Sequence, residues 1–374
     1  MSLQDILQPA IDLAREGFPV TPVTSYLWER GVHQLTRWPH PEDLLIDGRA
    51  PRNGEIFQNP SLAASLESIA LYGKAGFYEG PLAKAIVDAV KAQGGVLSLE
   101  DLKEHQSTFV TPIKANFRGV DVYEIPPNGQ GIAALLALNF LEHLPNADQV
   151  LKSHNSVEYL HTLIEALRLA FADARWYVSD PEVEHIPVEE LLSAKYAKER
   201  VANLNSEKAM VEPKRGSPVV GSNTVSFQVV DIYGNAVSMV NSNYAGFGSG
   251  CHFEMTHRYN SCPRSFTRSP VYGTHGMVAT NQPLASEIGY NILKRGGNAV
   301  DAAIAIAAAL NVTEPCSTGI GGDCFLLYYN ADTRQVAGLN GSGRAPKELT
   351  LEKALKEFPN AKSIPLDSVH SITV

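Results

Sequence analysis

The chain has 374 residues, enough for one large domain or two domains of ordinary size. Hydrophobic residues make up 44% and charged residues 19%, a composition typical of globular proteins and not of disordered or fibrous ones. The formal net charge of -9 disfavours nucleic acid or an anionic membrane surface as the main partner.

No pattern in the sequence predicts a membrane span or a signal peptide. The most apolar run, residues 299–312, contains Asp301 and is shorter than the roughly 18 residues that a span needs. The first ten residues have neither the basic start nor the apolar run of a secretory signal. We therefore expect a cytoplasmic protein without a membrane partner.

Metal and cofactor motifs are also missing from the sequence. The four cysteines contain no CxxC pair, and the eleven histidines contain no HExxH motif. We expect no metal site and no cofactor.

The first 200 residues are predicted to be mostly helical. Apolar residues recur at helical spacing in each predicted helix, and Ser98 is a candidate cap for a further short one. The longer predicted helices span residues 3–15, 61–72, 81–92 and 156–177. Residues 120–125 predict a strand that runs into a Pro-Pro-Asn-Gly turn, and the polar residues 207–221 predict an exposed connection.

Residues 224–242 predict a β-hairpin. Apolar and polar residues alternate along both strands, and residues 231–235 form the turn between them. If the hairpin is symmetric about Tyr233, Thr224 and Ser242 are cross-strand neighbours on one polar face. The opposite face is almost wholly apolar. The polar face is predicted either to line a site or to be an ordinary solvent-exposed surface.

The composition and the hydrophobic pattern of the sequence change after Gly250. Residues 251–269 are basic and aperiodic, and predict a linker. A compact α/β unit follows: a helix over 284–295, a second helix capped by Asn298, and two strands joined by a turn. The loop GIGGD at 319–323 lacks the lysine of a P-loop, so it predicts close backbone packing and not nucleotide binding.

Thr224 is the candidate nucleophile. A threonine hydroxyl reacts well only when a base lies beside it, and an N-terminal threonine can use its own α-amine. The unperturbed pKa of that amine, about 7.7–8, leaves a useful neutral fraction near pH 7. The amine exists only if the chain is cut between Asn223 and Thr224, where the predicted exposed connection ends.

Several segments resemble the γ-glutamyltransferase family. The stretch SNTVSFQVVDIYGNAVSMVNSNYAGFGSG resembles the start of the family's small subunit, where the precursor cleaves itself before a threonine. Other segments resemble its large subunit: AGFYEG, LSLEDLKEH, IPPNGQGIAALLALNFLE, ALRLAFADARWYVSDP, GMVATNQPLASEIGYNILKRGGNAVDAAIA and GIGGDCF. Together they cover most of the chain outside the linker.

The resemblance implies a fold and a site. The fold is α/β, an incomplete four-layer αββα sandwich of the N-terminal-nucleophile hydrolase type. Thr224 would be the nucleophile, Asn223 and Thr224 the processing site, and Ser242 the hydroxyl residue that hydrogen-bonds the nucleophile. The chemistry would be acyl transfer from a small γ-glutamyl or related amide to Thr224, then to water or an amine.

The substrate-binding residues depart from the family pattern. The family arginine that binds the substrate α-carboxylate falls on Ser342 in the usual spacing, and Arg344 lies two residues later. Arg344 and Tyr244 are the candidate substrate-binding residues. This pattern resembles the γ-glutamyltransferase-like or acylase-like branch of the family, so glutathione is implied only at the level of the family.

The segments come in an unusual order. Residues 1–223 resemble the middle and end of the large subunit, 224–250 the start of the small subunit, and 271–374 the N-terminal part of the large subunit, with 251–270 as the junction. This order indicates the tail of one copy fused to the head of another, or a permuted or misassembled gene. Even so, we expect 271–345 to pack beside the hairpin, because its strands belong to the same sandwich.

No segment after Gly250 resembles the serine and glycine pairs that the family uses for substrate and oxyanion binding. Loss of one oxyanion donor typically costs about 10²–10³ in rate. The alternative to an enzyme is therefore an inactive fragment or pseudoenzyme with a structural or partner-binding role. We expect the hairpin to leave an unpaired edge and an uncovered apolar face, and the isolated chain to associate, with little activity of its own.

Overall fold

The structure is a computed structural model that describes residues 1–36, 40–202, 204–210, 224–243, 247, 271–359, 364 and 368–369, with the backbone alone at Thr224. The helices are α1 Leu3–Glu16, α2 Pro22–Leu35, α3 Pro60–Tyr72, α4 Ala75–Tyr78, α5 Gly80–Ala92, α6 Leu99–Glu104, α7 Ile132–Glu142, α8 Ala147–Lys152, α9 Val157–Tyr177, α10 Val188–Leu191, α11 Ala194–Val201, α12 Pro283–Lys294, α13 Ala299–Thr313 and α14 Leu351–Glu357. The strands are β1 Phe18–Pro19, β2 Ile56–Phe57, β3 Thr108–Val110, β4 Ile113–Phe117, β5 Val120–Glu124, β6 Thr224–Val230, β7 Ala236–Ser242, β8 Met277–Ala279, β9 Asp323–Asn330 and β10 Gln335–Gly341.

The chain divides into two compact units. Unit one comprises Met1–Ser107, Ser222–Arg334 and Gly341–Val374, and unit two comprises Thr108–Gly221 and Gln335–Asn340. The segments that resemble parts of the family precursor do not coincide with these units, and their assignment stays a prediction. The predicted linker at 251–269 and most of the predicted exposed connection at 207–221 lie outside the described residues.

The predicted helices are confirmed to within one or two residues, because local signals define their ends. Ser98 accepts a hydrogen bond from the backbone N–H of Asp101, whose carboxylate accepts one from the N–H of Ser98. Asn298 and Asp301 form the same reciprocal capping box at the start of α13. Such boxes satisfy N–H groups that the first helical turn leaves unpaired.

The hairpin of β6 and β7 lies at the centre of the antiparallel sheet in unit one. Its register pairs Thr224 with Ser242 and Phe227 with Met239, as the symmetric turn predicts. β9 pairs with β7 along its whole length, and β8 pairs with residues 228–230 of β6. The prediction that the segment after the linker packs beside the hairpin is therefore confirmed.

The apolar face of the hairpin is covered by α13, so the expectation that it lacks cover is wrong. Val225, Phe227 and Val229 are at most 1% exposed, and they pack in one core with the alanines of α13. Small side chains on that helix let it lie close to the sheet, where packing is dense. The predicted burial of residues 299–310 agrees with this arrangement.

The open edge of the sheet is shorter than the sequence predicts. Because β9 occupies one side of the hairpin and β8 the other, the described strands leave only residues 224–227 of β6 beyond the pairing with β8. Association through a long open edge therefore has less support than we expected from the sequence.

The polar face of the hairpin is mostly exposed. Ser226, Gln228 and Ser238 are all exposed, whereas Ser242 is half-buried. Of the two interpretations left open by the sequence, solvent exposure applies to the middle of this face. Ala236 and Val240 on the same face are also half-buried, so the candidate site is assigned to the end of the hairpin by the pairing of the two hydroxyl residues Thr224 and Ser242.

Unit two has a separate core. Helices α7 and α9 pack together with β4, which pairs with β5, and β3 pairs with β10. The predicted strand at 120–125 is confirmed as β5. Among the described residues of both units, no helix has the length and apolar character to cross a bilayer.

Candidate active site

The candidate site is the end of the hairpin where the two hydroxyl residues meet. Thr224 begins β6, and its direct cross-strand partner is Ser242 at the end of β7. Ser242 also pairs with Asp323, the first residue of β9. The Ser242 hydroxyl donates a hydrogen bond of 3.4 Å to the carbonyl of Asn243. Ser242 is thus held between two strands.

A buried polar network supports this end of the hairpin from the helical side. The Asn241 side-chain amide donates to the carbonyl of Asp323 at 3.2 Å. Its side-chain oxygen accepts hydrogen bonds from the amide of Asn311 at 3.2 Å and from the hydroxyl of Thr318. All the side-chain groups of this network are buried in the core between the sheet and α13. The Asn311 side-chain oxygen has no hydrogen-bond partner among the described residues, whereas the Asn241 side chain is paired through both its nitrogen and its oxygen. Paired buried groups of this kind favour one arrangement of the elements that they join.

The glycine loop, residues 319–322, packs against the same end of the hairpin. A Cβ at Gly322 would lie 2.4 Å from the Ser242 carbonyl oxygen, so only glycine allows this close approach. Gly321 has φ +88, in the left-handed region that glycine adopts without strain. The prediction that this loop serves backbone packing agrees with the structure.

Glu314 holds the segment between α13 and the glycine loop. Its backbone carbonyl accepts hydrogen bonds from the N–H groups of Ser317 and Thr318. Its buried carboxyl accepts hydrogen bonds from the side-chain amides of Asn281 and Gln282. Burial raises the pKa of this carboxyl, and the amide donors partly oppose that rise.

Asp231 fixes the other end of the hairpin. One carboxylate oxygen accepts hydrogen bonds from the N–H groups of Tyr233 and Asn235, at 2.9 and 3.0 Å. The other accepts from the Asn235 side chain at 3.0 Å and from the N–H of Ala299 at 3.1 Å. The same carboxylate therefore closes the turn and caps α13, where the helix dipole favours negative charge.

The described cysteines are poor candidates for a nucleophile. Burial raises the pKa of Cys316 to about 11. Burial and the nearby Asp323 carboxylate raise the pKa of Cys324 to about 11 as well. Both thiols are protonated at neutral pH, and the thiol is far less nucleophilic than the thiolate.

The structure places the predicted site residues as follows. The Thr224 backbone and Ser242 are adjacent, as predicted, while their catalytic roles stay predictions. Arg344 is exposed, and the N–H of its neighbour Gly343 donates to the Asp323 carboxylate at 2.7 Å. Asn223 and Tyr244 lie outside the described residues.

Sequence reasoning missed the supporting residues Asn241, Thr318 and Asp231. Asn241 was detectable, because it is a polar residue at the end of a strand face that is otherwise apolar. Asp231 begins the predicted turn, where aspartate commonly accepts hydrogen bonds from the following backbone N–H groups, but its bond to Ala299 has no local signal. Thr318 has no local signal either, since its partner Asn241 lies far away in the chain. In the part of the chain that the structure describes, no group of three His, Cys, Asp or Glu residues could hold a metal ion.

Solved structures define the class of fold. The chain aligns with a cephalosporin acylase from Bacillus halodurans with a TM-score of 0.55 and 26% identity, over 91% of this chain and 73% of that one. It aligns with a γ-glutamyltranspeptidase from Pseudomonas nitroreducens, solved with L-DON, with a TM-score of 0.51 and 29% identity, over 57% and 63% of the two chains. The predicted α/β fold of the N-terminal-nucleophile hydrolase type is confirmed.

The family is defined by a model described as "Gamma-glutamyltranspeptidase", which matches residues 1–256 and 285–374. The chain therefore belongs to the γ-glutamyltranspeptidase family.

Relatives within the family carry different names. The chain is 39% identical over 250 residues to the glutathione hydrolase-like YwrD proenzyme of Bacillus subtilis strain 168, a match that covers 67% of this chain and 46% of that protein. It is 34% identical over 254 residues to the acylase ACY 1 proenzyme of Pseudomonas sp. strain SE83, with 67% and 44% covered. The chain thus spans about half the length of the curated relatives that it matches.

Proposed function

We propose that this chain is an amide hydrolase or acyltransferase whose nucleophile is Thr224. Cleavage of the bond between Asn223 and Thr224 would give Thr224 a free α-amine. That amine would act as the base for the hydroxyl of the same residue. The observation that carries this proposal is the strand register, which pairs Thr224 with the half-buried Ser242 at one end of a polar face.

The proposed reaction has two halves. The Thr224 hydroxyl oxygen attacks the amide carbonyl and gives its proton to the α-amine, which passes a proton to the departing amine as the C–N bond breaks. The acyl group is then an ester on Thr224. Water or an acceptor amine attacks that ester with the same amine as base, and the Thr224 hydroxyl is restored.

The proposed substrate is a small γ-glutamyl or related amide. The names of the relatives support a γ-glutamyl amide and a related amide alike, since they include glutathione hydrolase-like and acylase proenzymes. The word proenzyme in those names also supports processing of this chain. The departure at Ser342 and Arg344 from the family arginine favours a related amide over glutathione itself.

The proposal is tested first by mapping the cut. Intact-mass measurement of the purified chain, with N-terminal sequencing of any fragment, is expected to find a species that begins at Thr224. A γ-glutamyl anilide and an N-acyl anilide then report turnover by that species. A chain that stays whole and inactive, even in the presence of a complete small subunit of the family, would instead support an inactive fragment with a partner-binding role.

Ser242→Ala is expected to lower turnover while leaving some activity. The substitution removes a hydroxyl beside the nucleophile, and loss of one supporting hydrogen bond of this kind costs about 10- to 100-fold in kcat. The measurement is kcat for the anilide substrate. Ser238→Ala, an exposed serine on the same strand, is the matched control and should stay near the unmodified rate. Equal rates for both variants would remove Ser242 from the site.

A further inference from the structure

A cavity of about 470 Å³ lies within unit one beside the glycine loop. Phe77 and Tyr78 of α4, His105 after α6, and Ile320 and Gly321 of the loop contribute to its lining. We call it the aromatic cavity.

The walls of the aromatic cavity are suited to a flat ring. The rings of Phe77 and Tyr78 meet edge to face with their centres 4.8 Å apart. Tyr78 stacks on His105 with centres 5.2 Å apart and planes 17° apart. Planar apolar side chains in these arrangements favour a further ring, through offset stacking or edge-to-face contact.

The aromatic cavity also has a positive character. Lys74 lies at its margin, with its ammonium 5.5 Å from the centre of the Tyr78 ring and donating to the backbone carbonyl of His105. An ammonium has three donors, so Lys74 keeps capacity for an anion. Arg344 is close enough to lower the pKa of His105. None of the described residues that line the cavity is acidic.

His105, which contributes to this lining, has a buried polar atom without a partner in the described part of the chain. Its side chain is 6% exposed, and its Nδ1 has no hydrogen-bond partner among the described residues. Burial lowers the pKa of His105, and the positive charges of Lys74 and Arg344 lower it further. The ring is therefore neutral at neutral pH.

The aromatic cavity and the end of the hairpin contact neighbouring residues of the glycine loop. A Cβ on Gly321 would lie 3.0 Å from the Phe77 ring, and a Cβ on Gly322 would lie 2.4 Å from the Ser242 carbonyl oxygen. One loop thus contacts the aromatic wall at one residue and the end of β7 at the next. The loop therefore links the aromatic cavity to the strand that carries Ser242.

We propose that the aromatic cavity binds the amine portion of the amide substrate, and that this portion carries an aromatic ring and a carboxylate, as an aromatic amino acid does. The ring lies against Phe77 and Tyr78, and the carboxylate accepts a hydrogen bond from Lys74. The statement that the bound group is part of an amide substrate rests on the proposed function. Binding of an aromatic carboxylate depends on the cavity alone.

The cavity is tested by calorimetric titration of the full chain with three probes: 3-phenylpropionate, its neutral amide 3-phenylpropanamide, and propionate, which has no ring. We expect 3-phenylpropionate to bind about tenfold or more tightly than either of the others. Only this probe has both a ring to pack against Phe77 and Tyr78 and a carboxylate to pair with Lys74. Equal binding of the neutral amide would overturn the proposal.

Two variants and a control assign that binding to residues. Lys74→Met and Phe77→Leu keep side-chain bulk, and each is expected to weaken 3-phenylpropionate about tenfold, with the fold checked by circular dichroism. Lys103→Met removes an exposed lysine on α6 as the matched control and should leave binding unchanged. Unchanged binding in both cavity variants would overturn the assignment.

Turnover separates this proposal from the proposed function. A preference for γ-glutamyl-phenylalanine over γ-glutamyl-glycine that disappears in Lys74→Met supports both. Binding of 3-phenylpropionate as expected without turnover of any amide means that the cavity stands and the proposed chemistry fails. Turnover of an amide without binding of 3-phenylpropionate, and without a preference for γ-glutamyl-phenylalanine, means that the proposed chemistry stands and the proposal for the cavity fails.

Discussion

Thr224→Ala is expected to abolish both the cut before residue 224 and all amide turnover. One residue supplies the nucleophilic oxygen, and the cut gives that same residue its basic amine, so no partial mechanism remains. Removal of a nucleophile typically lowers kcat by about 10⁴-fold or more. Gel analysis and the rate with a γ-glutamyl anilide measure the two effects.

Two further variants serve as comparisons for Thr224→Ala. Ser226→Ala changes an exposed hydroxyl two residues along the same strand and should leave cutting and turnover intact. Thr224→Ser keeps an oxygen and an amine at the same atoms, and should retain part of both activities. Undiminished hydrolysis by Thr224→Ala would place the chemistry elsewhere in the chain.

Asp231→Ala is expected to give the largest loss of stability among substitutions near the hairpin. The side chain is 3% exposed and accepts four hydrogen bonds, one of them from the first backbone N–H of α13. Its removal leaves the buried Ala299 N–H without a partner and frees the turn. The free energy of unfolding of unit one should fall by about 3 kcal/mol.

Urea unfolding, with hydrogen exchange at the amides of residues 299–301 as the local readout, measures this loss. Asp332→Ala removes an exposed acid of the same charge from the turn between β9 and β10, and should change stability by about 0.5 kcal/mol or less. Asp231→Asn keeps one acceptor oxygen, so its loss of stability should lie between those of Asp231→Ala and Asp332→Ala. Equal stability of Asp231→Ala and Asp332→Ala would show that the turn and helix cap do not depend on this carboxylate.

The sequence by itself determined the local features of this protein. Alternation along residues 224–242 and a turn centred on Tyr233 were enough to predict that Thr224 faces Ser242. Ser98 and Asn298 were enough to predict where two helices begin. These features depend on side chains within a few residues of one another, and periodicity and capping report such contacts directly.

Only the tertiary structure decided what surrounds the hairpin. The cover of α13 over Phe227, the network that joins Asn241 to Thr318, and the cavity that brings His105 beside Gly321 all join residues distant in the chain. A one-dimensional pattern shows which face of an element is apolar or polar, but it does not show which other face meets it. That choice depends on how the elements pack, because close packing accepts only surfaces that complement one another.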